Sequence, residues 1–250
     1  MTYQLPPEHV LVLRTSNKDR ISHNGFQWPE SGPVEAPDWS PEPICGRGLH
    51  GALWGEGNGS LFNWVEDATW QVVEVLEKDI VDLGGKIKFP QGNVVFSGSR
   101  EGATNFLLAN GGQGKAVIGA WVANPSSNGH ATAGDYGTAT AGEGGTATAG
   151  EGGTATASKF GTANAGFKGT ANAGSGGTAN AGSYGTATAG DYGTATAGIG
   201  GTATAGRDGK ISIDYWDGTR SRTKGGYIGE EGLLPNVPYK LDYKFNFVKA

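Results

Sequence analysis

The middle of the chain repeats an eight-residue unit, and this repeat constrains the fold more than any other feature. Ten octads run end to end over residues 129–208; five read Gly-Thr-Ala-Thr-Ala-Gly followed by two variable residues, and the others differ from this pattern at one position. A short fixed period is typical of solenoids, in which each repeat packs on its neighbours. The repeat therefore predicts order in a chain whose 46 glycines and 11 prolines would otherwise favour disorder.

The octad predicts one strand and one turn. Thr-Ala-Thr-Ala alternates with a period of two, which is typical of a short strand, and the glycines with the variable pair form a turn. A strand and a turn make half a coil, so two octads close a 16-residue coil with two facing sheets. Ten octads give about five coils, which stack at roughly 4.8 Å each into a rod on the order of 24 Å long.

The alternation also assigns an inside and an outside to each strand. A threonine hydroxyl buried without a partner would cost about 1–3 kcal/mol, so we expect alanine inside and threonine outside. The candidate binding face comprises Thr138, Thr140, Thr154, Thr156, Thr170, Asn172, Thr186, Thr188, Thr202 and Thr204. The opposite face comprises His130, Thr132, Thr146, Thr148, Thr162, Asn164, Thr178, Asn180, Thr194 and Thr196.

The exposed residues of the array leave alternatives open. Threonine has high β-propensity and can occupy an exposed face without a binding role; alternatively, the faces bind ice, ordered water, a glycan or a partner protein. The turns carry aromatic residues on two edges, Tyr136, Phe167 and Tyr184 on one and Phe160 and Tyr192 on the other. Glycine interrupts both rows, so we interpret them as solvent-exposed turn residues rather than as a protein contact.

Shifts in composition divide the chain and predict a mainly β protein. Residues 1–112 contain five of the seven tryptophans and are predicted to form an α+β domain. Residues 113–217 are predicted to form the β-solenoid, with cap octads at 114–121 and 209–216 in which Val, Ile and Trp replace the small residues. Residues 218–250 are predicted to form a small β module.

The flanking segments show ordinary strand and helix patterns. Strands are predicted over 9–16, 69–77, 85–90 and 93–98, and a short helix is predicted to stop at Gly111. A last half-buried strand is predicted near the C-terminus, where apolar and polar residues alternate. Its apolar positions are Leu241, Tyr243, Phe245 and Phe247.

The octads resemble the Ala-Gly-Tyr-Gly-Ser-Thr-Leu-Thr octapeptides of bacterial ice nucleation proteins. The best matches are the two AGDYGTAT stretches at 133–140 and 189–196. The resemblance covers about 80 residues and implies a 16-residue-coil β-solenoid whose Thr-x-Thr rows order water. The array differs from that pattern in its alanine interior, its small number of coils and its three consecutive Thr-Ala-Asn octads.

The segment CGRGLH, from Cys45 to His50, carries two further resemblances. The layout is similar to uncharacterised phage and bacterial proteins in which such a segment precedes an octad array, which suggests a phage-encoded structural or host-interaction protein. The segment also loosely resembles one in ADP-ribosyltransferase folds. That resemblance implies a nicotinamide cleft with Arg14, Thr15 and Glu74 beside it; the alternative, which we favour, is that its glycines turn the chain and His50 caps a strand hydrogen bond.

The composition argues against nucleic-acid binding, metal sites and membrane segments. A net charge of −5 argues against general nucleic-acid binding. The octads lack a recurring carboxylate for calcium, and Cys45 and the four histidines are scattered, so we predict no metal and no cofactor. No apolar run of about 18 residues and no signal-peptide pattern is present, which favours a cytoplasmic or virion-associated protein without a membrane segment.

The leading prediction is therefore a non-enzymatic protein in which a rigid rod displays Thr and Asn faces to a surface or a partner. Ice binding is the second hypothesis. An ADP-ribosyltransferase-like N-terminal domain is the third. A homo-oligomer is compatible with all three.

Overall fold

The computed structural model describes residues 3–250 and divides into two compact units, split between Ala120 and Trp121. The first unit contains seven strands, one α-helix and three short helical turns. The strands are β1 (His9–Ser16), β2 (Gly32–Glu35), β3 (Leu49–Leu53), β4 (Thr69–Leu76), β5 (Val81–Asp82), β6 (Ile87–Phe89) and β7 (Gln91–Gly98). The helix is α1 (Arg100–Leu107), and the turns span Gly59–Leu61, Glu77–Asp79 and Leu108–Gly112.

The strands of the first unit form one antiparallel sheet in the order β2-β7-β4-β1-β3-β6-β5. The central strand β1 is buried over most of its length, because it lies between β3 and β4 in the sheet and because α1 packs on β1, β4 and β7. The helix begins after Ser99, whose Oγ accepts a hydrogen bond from Gly102 N at 3.1 Å, as expected of an N-cap. The predicted strands and helix of this region are confirmed to within a few residues.

The second unit is a two-sheeted β-solenoid, which confirms the predicted fold class. Sheet I contains β8 (Trp121–Asn124), β10 (Thr138–Ala141), β12 (Thr154–Ala157), β14 (Thr170–Ala173), β16 (Thr186–Ala189), β18 (Thr202–Ala205), β21 (Tyr239–Leu241) and β22 (Phe247–Lys249). Sheet II contains β9 (His130–Thr132), β11 (Thr146–Ala149), β13 (Thr162–Ala165), β15 (Thr178–Ala181), β17 (Thr194–Ala197), β19 (Lys210–Trp216) and β20 (Ser221–Tyr227).

Each regular strand pairs in parallel with the strand one coil on, residue i with residue i+16, as Thr138 pairs with Thr154. Alanine therefore stacks on alanine, and the alanines of β9 to β18 line the interior at 8% exposure or less, except Ala165, which is partly exposed. The threonines lie on the outer faces, as the alternation predicts.

The two ends of the solenoid differ from the expected caps. At the start, Trp121 pairs with Thr138, a step of 17 residues, so the first strand begins at the last residue of the octad predicted at 114–121. Val117 and Ile118 are instead buried in the first unit, where the Ile118 amide donates to Gly55 O at 2.9 Å. The large side chains of Val117 and Ile118 fit that core, whereas the interior of the solenoid has room only for the methyl groups of alanine.

At the other end, β19 keeps the octad register, and its Ile211 and Ile213 are buried against the last alanines. The predicted C-terminal β module adds antiparallel strands to both sheets, β20 to β19 and β21 to β18. The single strand predicted near the C-terminus is wrong, because it is a hairpin of β21 and β22. Asp242 Oδ1 accepts from the amides of Lys244 and Asn246 and so folds the alternating stretch into a turn.

Candidate functional site

The outer face of sheet I carries two rows of side chains that are in register from coil to coil. The in-register pairing places the first position of each strand in one row and the third position in the other. The first row contains Thr138, Thr154, Thr170, Thr186 and Thr202. The second row contains Thr140, Thr156, Asn172, Thr188 and Thr204. The register thus collects all ten residues of the candidate binding face on one sheet.

Strand geometry sets the spacing of this grid. Neighbouring members of a row lie about 4.8 Å apart, and the two rows lie about 6.7 Å apart. Most of these threonines are half-buried, since each is flanked by the residues one coil before and after it. β-Branched side chains also have few χ1 rotamers, so the hydroxyl positions are held without much loss of side-chain entropy on binding. The face therefore presents hydroxyl and methyl groups at regular, fixed positions.

Sheet II is less uniform than sheet I. Its first row begins at His130 and ends at Lys210, so an imidazole and a cation flank the threonines, whereas the first row of sheet I is preceded by the indole of Trp121. Its second row contains Asn164 and Asn180 on adjacent coils, and Asn180 Nδ2 donates to Asn164 Oδ1 at 2.9 Å. This bond occupies one donor of Asn180 and the oxygen of Asn164, which leaves fewer groups on this face free to organise water. Of the two faces, sheet I has the more regular array.

The turns explain why glycine interrupts the aromatic rows. The second variable residue of each turn has positive φ, as at Tyr136 (54°), Phe160 (59°) and Tyr184 (58°), a conformation that favours glycine. The aromatic ring there lies over the glycine one coil on. A Cβ at Gly152 would lie 2.8 Å from the Tyr136 ring, and one at Gly176 would lie 2.6 Å from the Phe160 ring. Tyr136, Phe160 and Tyr184 are each followed by glycine sixteen residues later, whereas Tyr192 is followed by Asp208. The octad period alone does not reveal these three ring–glycine contacts.

The aspartates of the turns have structural partners. Asp135 Oδ1 accepts from the Glu151 amide, and Asp191 Oδ1 accepts from the Arg207 amide, each at 2.8 Å. The hydrogen bonds from the backbone and side chain of Arg207 lower the pKa of Asp191. These carboxylates tie one coil to the next, which accounts for them without a ligand. Among residues 3–250 no group of three or more His, Cys, Asp or Glu side chains is placed to hold a metal ion.

The first unit contains a cavity of about 560 Å³ that brings several predicted residues together. Arg14, Thr15, Cys45 and His50 all line it. Glu74 does not: it accepts a hydrogen bond from the Tyr3 hydroxyl at 2.7 Å and lies outside the cavity lining. The expectation that Glu74 lies beside the CGRGLH segment is therefore wrong. Because β1 and β4 pair antiparallel, Arg14 is opposite Gln71, and Glu74 is opposite Leu11, three residues further along.

The polar groups of this cavity are unusually placed. Arg14 is 6% exposed, donates to Gln71 Oε1 and to Thr15 O, and stacks on Trp28 with Cζ 3.6 Å from the ring centre. His50 has a buried Nε2 without a hydrogen-bond partner, so at that nitrogen it does not cap a strand as expected. Burial, with help from nearby lysines, lowers the pKa of His50. Lys86 Nζ donates to Cys45 Sγ at 3.0 Å and lowers the pKa of that thiol.

The two units are similar to different known proteins. Residues 10–106 match the family model described as "Domain of unknown function (DUF7666)". The repeat region is similar to proteins named ice nucleation protein: 40% identical over 105 residues to one from Xanthomonas campestris pv. translucens and 39% over 104 residues to one from Pseudomonas syringae. A third relative, ice nucleation protein InaU from Pantoea ananas, is 37% identical over 103 residues.

These alignments cover 40–41% of this chain but only 7–10% of each of these three relatives. The chain therefore spans about a tenth or less of their length. No solved structure matches the chain. Within the described residues 3–250, every helix is too short or too polar to cross a membrane. The fold is a β-solenoid, and its repeat region is similar in sequence to these ice nucleation proteins.

Proposed function

We propose that the solenoid is a rigid, non-enzymatic element whose sheet I face orders water and thereby binds ice. The observation that carries the proposal is the pair of in-register rows on sheet I, in which nine of ten positions are threonine. The resemblance of the repeat region to ice nucleation proteins supports the same function. A phage origin and a cytoplasmic or virion location stay predictions from the sequence.

The chemistry of threonine suits this role. Each hydroxyl both donates and accepts a hydrogen bond, so a row of hydroxyls can anchor a row of water molecules. The neighbouring methyl groups make no hydrogen bonds and leave the waters between them bonded to one another. The alanine interior holds the strands in close register, so the spacing of the anchors does not fluctuate. The protein therefore needs little structural change to order the water that it binds.

The size of the face sets which activity to expect. Five positions at about 4.8 Å span roughly 19 Å along the rod. A patch this small orders a small cluster of water, so we expect adsorption to ice that has already formed rather than efficient nucleation of new ice. Inhibition of ice recrystallisation is the activity that reports such adsorption.

The test uses matched double variants on the two faces. Thr154→Lys with Thr186→Lys alters the first row of sheet I at two positions two coils apart. Thr162→Lys with Thr194→Lys makes the same change in the first row of sheet II. We expect the parent protein to inhibit recrystallisation. The sheet I variant should need an at least tenfold higher concentration for the same inhibition, and the concentration that the sheet II variant needs should differ from that of the parent by less than twofold.

Two results would contradict the proposal. The parent protein could leave ice-crystal growth unchanged at every concentration tested, or the two double variants could lose activity equally. Far-UV circular dichroism of all three proteins checks that the solenoid is intact, so a loss confined to the sheet I variant reports on the face and not on folding.

A further inference from the structure

The cavity of the first unit contains a buried cation without a counter-ion. Arg14 makes its hydrogen bonds to neutral groups only: Gln71 Oε1, Thr15 O and, at 3.3 Å, Ser22 Oγ. Its Nε is buried and has no partner. Among residues 3–250 no carboxylate forms a salt bridge with Arg14. The positive charge is therefore held in place but not neutralised.

Such an arrangement is costly unless something compensates it. A buried charge loses its hydration, and neutral hydrogen-bond partners recover only part of that loss. Burial lowers the pKa of Arg14 to about 9, so the guanidinium is still charged at neutral pH. Gln71 and Trp28 fix its position, one by a hydrogen bond and one by stacking. A fixed, uncompensated guanidinium at a cavity wall is the arrangement that binds an anion.

The rest of the cavity strengthens the positive potential. Lys86 also lines it, with Nζ 3.0 Å from Cys45 Sγ. Burial and, secondarily, the charges of Lys86 and Lys88 lower the pKa of His50, and Asp38 acts in the opposite direction. Asp38 is the one carboxylate among the lining residues. This excess of positive charge contrasts with the net charge of −5 for the whole chain. The cavity therefore favours anionic ligands over neutral or cationic ones.

The walls of the cavity indicate what the anion is attached to. Most of the exposed lining is apolar, and its larger apolar residues are Phe26, Trp28, Leu49, Leu61 and Phe62. A volume of about 560 Å³ lies in the range of sites for small organic ligands. We propose that the cavity binds an aromatic organic anion of nucleotide size, with the anionic group on Arg14 and the flat ring against the apolar wall.

The test measures binding to the full chain by isothermal titration calorimetry. The probes are AMP, GMP, CMP and UMP, which combine a ring and an anion, and adenosine and inorganic phosphate, which each carry one of the two. We expect at least one nucleotide to bind, and its own nucleoside, added as a further probe where it is not adenosine, and inorganic phosphate to bind at least tenfold more weakly. Failure of all four nucleotides to bind would overturn the proposal.

The variants separate a binding arginine from a structural one. Arg14→Met removes the charge and keeps the stem, and we expect it to weaken nucleotide binding at least 100-fold. Loss of the buried charge stabilises the empty protein, whereas loss of the donor to buried Gln71 Oε1 destabilises it, so ligand binding and not the melting temperature decides the proposal. Arg207→Gln changes an exposed arginine of the solenoid and should bind like the parent. If Arg14→Met does not fold, Lys86→Gln, expected to weaken binding at least threefold, takes its place. Parent-like binding in the cavity variant that folds would contradict the proposal.

Discussion

The two units build sheets with opposite kinds of interior. The first unit packs large side chains such as Leu11, Val73 and Phe89, all fully buried, around one antiparallel sheet. The solenoid packs alanine against alanine between two parallel sheets. Burial of apolar area scales with side-chain size, so each interior residue of the first unit contributes more transfer free energy than an alanine does. The solenoid relies more on its backbone hydrogen bonds and on close approach of its sheets.

This contrast implies opposite sensitivities. Interiors filled with large residues are damaged when atoms are removed, because a cavity is left behind. Interiors filled with methyl groups are damaged when atoms are added, because a larger side chain forces strained rotamers and shifts of the backbone of both sheets. The contrast also bears on function, since the close approach of the sheets keeps the outer rows regular.

The largest effect is expected in the first unit. Leu11→Ala removes three buried carbons from the central strand and should lower the free energy of unfolding by about 2–5 kcal/mol. Hydrogen exchange read by mass spectrometry distinguishes the units, and faster exchange should be confined to peptides of residues 3–120. Equal acceleration in the solenoid peptides would show that the two interiors are not independent.

The reverse substitution probes the solenoid. Ala171→Leu adds three carbons between the sheets at a fully buried position and should cost about 1–3 kcal/mol through overpacking. Exchange should accelerate in the strands next to β14 and in the facing sheet. An unchanged melting temperature would mean that the interior has spare room, and the contrast between the two units would fail.

The turns give a smaller effect of the same kind. Gly176→Ala places a methyl group against the Phe160 ring at a residue with φ of 68° and should cost about 1–2 kcal/mol. In a Phe160→Ala background the steric part disappears and only the backbone cost stays. A double-mutant cycle by thermal unfolding should therefore show coupling of about 0.5 kcal/mol or more; additive effects would rule out the ring-over-glycine contact.

The smallest effect compares the two outer faces. Asn180→Thr removes the hydrogen bond to Asn164 on sheet II and should cost about 0.5–1.5 kcal/mol. Asn172 on sheet I has no side-chain hydrogen bond among those that residues 3–250 form, so Asn172→Thr is the matched control and should be neutral. The measurement is the free energy of unfolding of the two variants. A larger decrease for Asn172→Thr than for Asn180→Thr would contradict the claim that the asparagine hydrogen bond lies on sheet II.

The repeat predicted the solenoid well because its period fixes both the strand and the turn. Alanine on alternate positions fixed the interior, so the outer rows followed from the spacing alone. The sequence was less informative where contacts are not periodic. The place of Val117 and Ile118 depends on the first unit's core, and the hairpin at Asp242 depends on a local side-chain hydrogen bond that overrides the alternation.

The cavity illustrates the same limit. The sequence indicates Arg14 and His50 as candidate site residues. It does not predict that Arg14 hydrogen-bonds to neutral groups or that His50 Nε2 has no hydrogen-bond partner, because these contacts depend on the antiparallel register. Glu74 was misplaced for that reason. The aromatic–glycine pairs were visible in the sequence as residues sixteen apart, yet their meaning required the ring positions.

The separation of a methyl interior from a hydroxyl surface is the central claim, and cysteine accessibility tests it most directly. In a Cys45→Ser background, Thr154→Cys and Ala155→Cys place one thiol on each side of the same strand. The account predicts rapid reaction of Cys at position 154 with a water-soluble thiol reagent and protection of the thiol at 155 until the protein unfolds. Equal rates at the two positions, or faster reaction at 155, would contradict it.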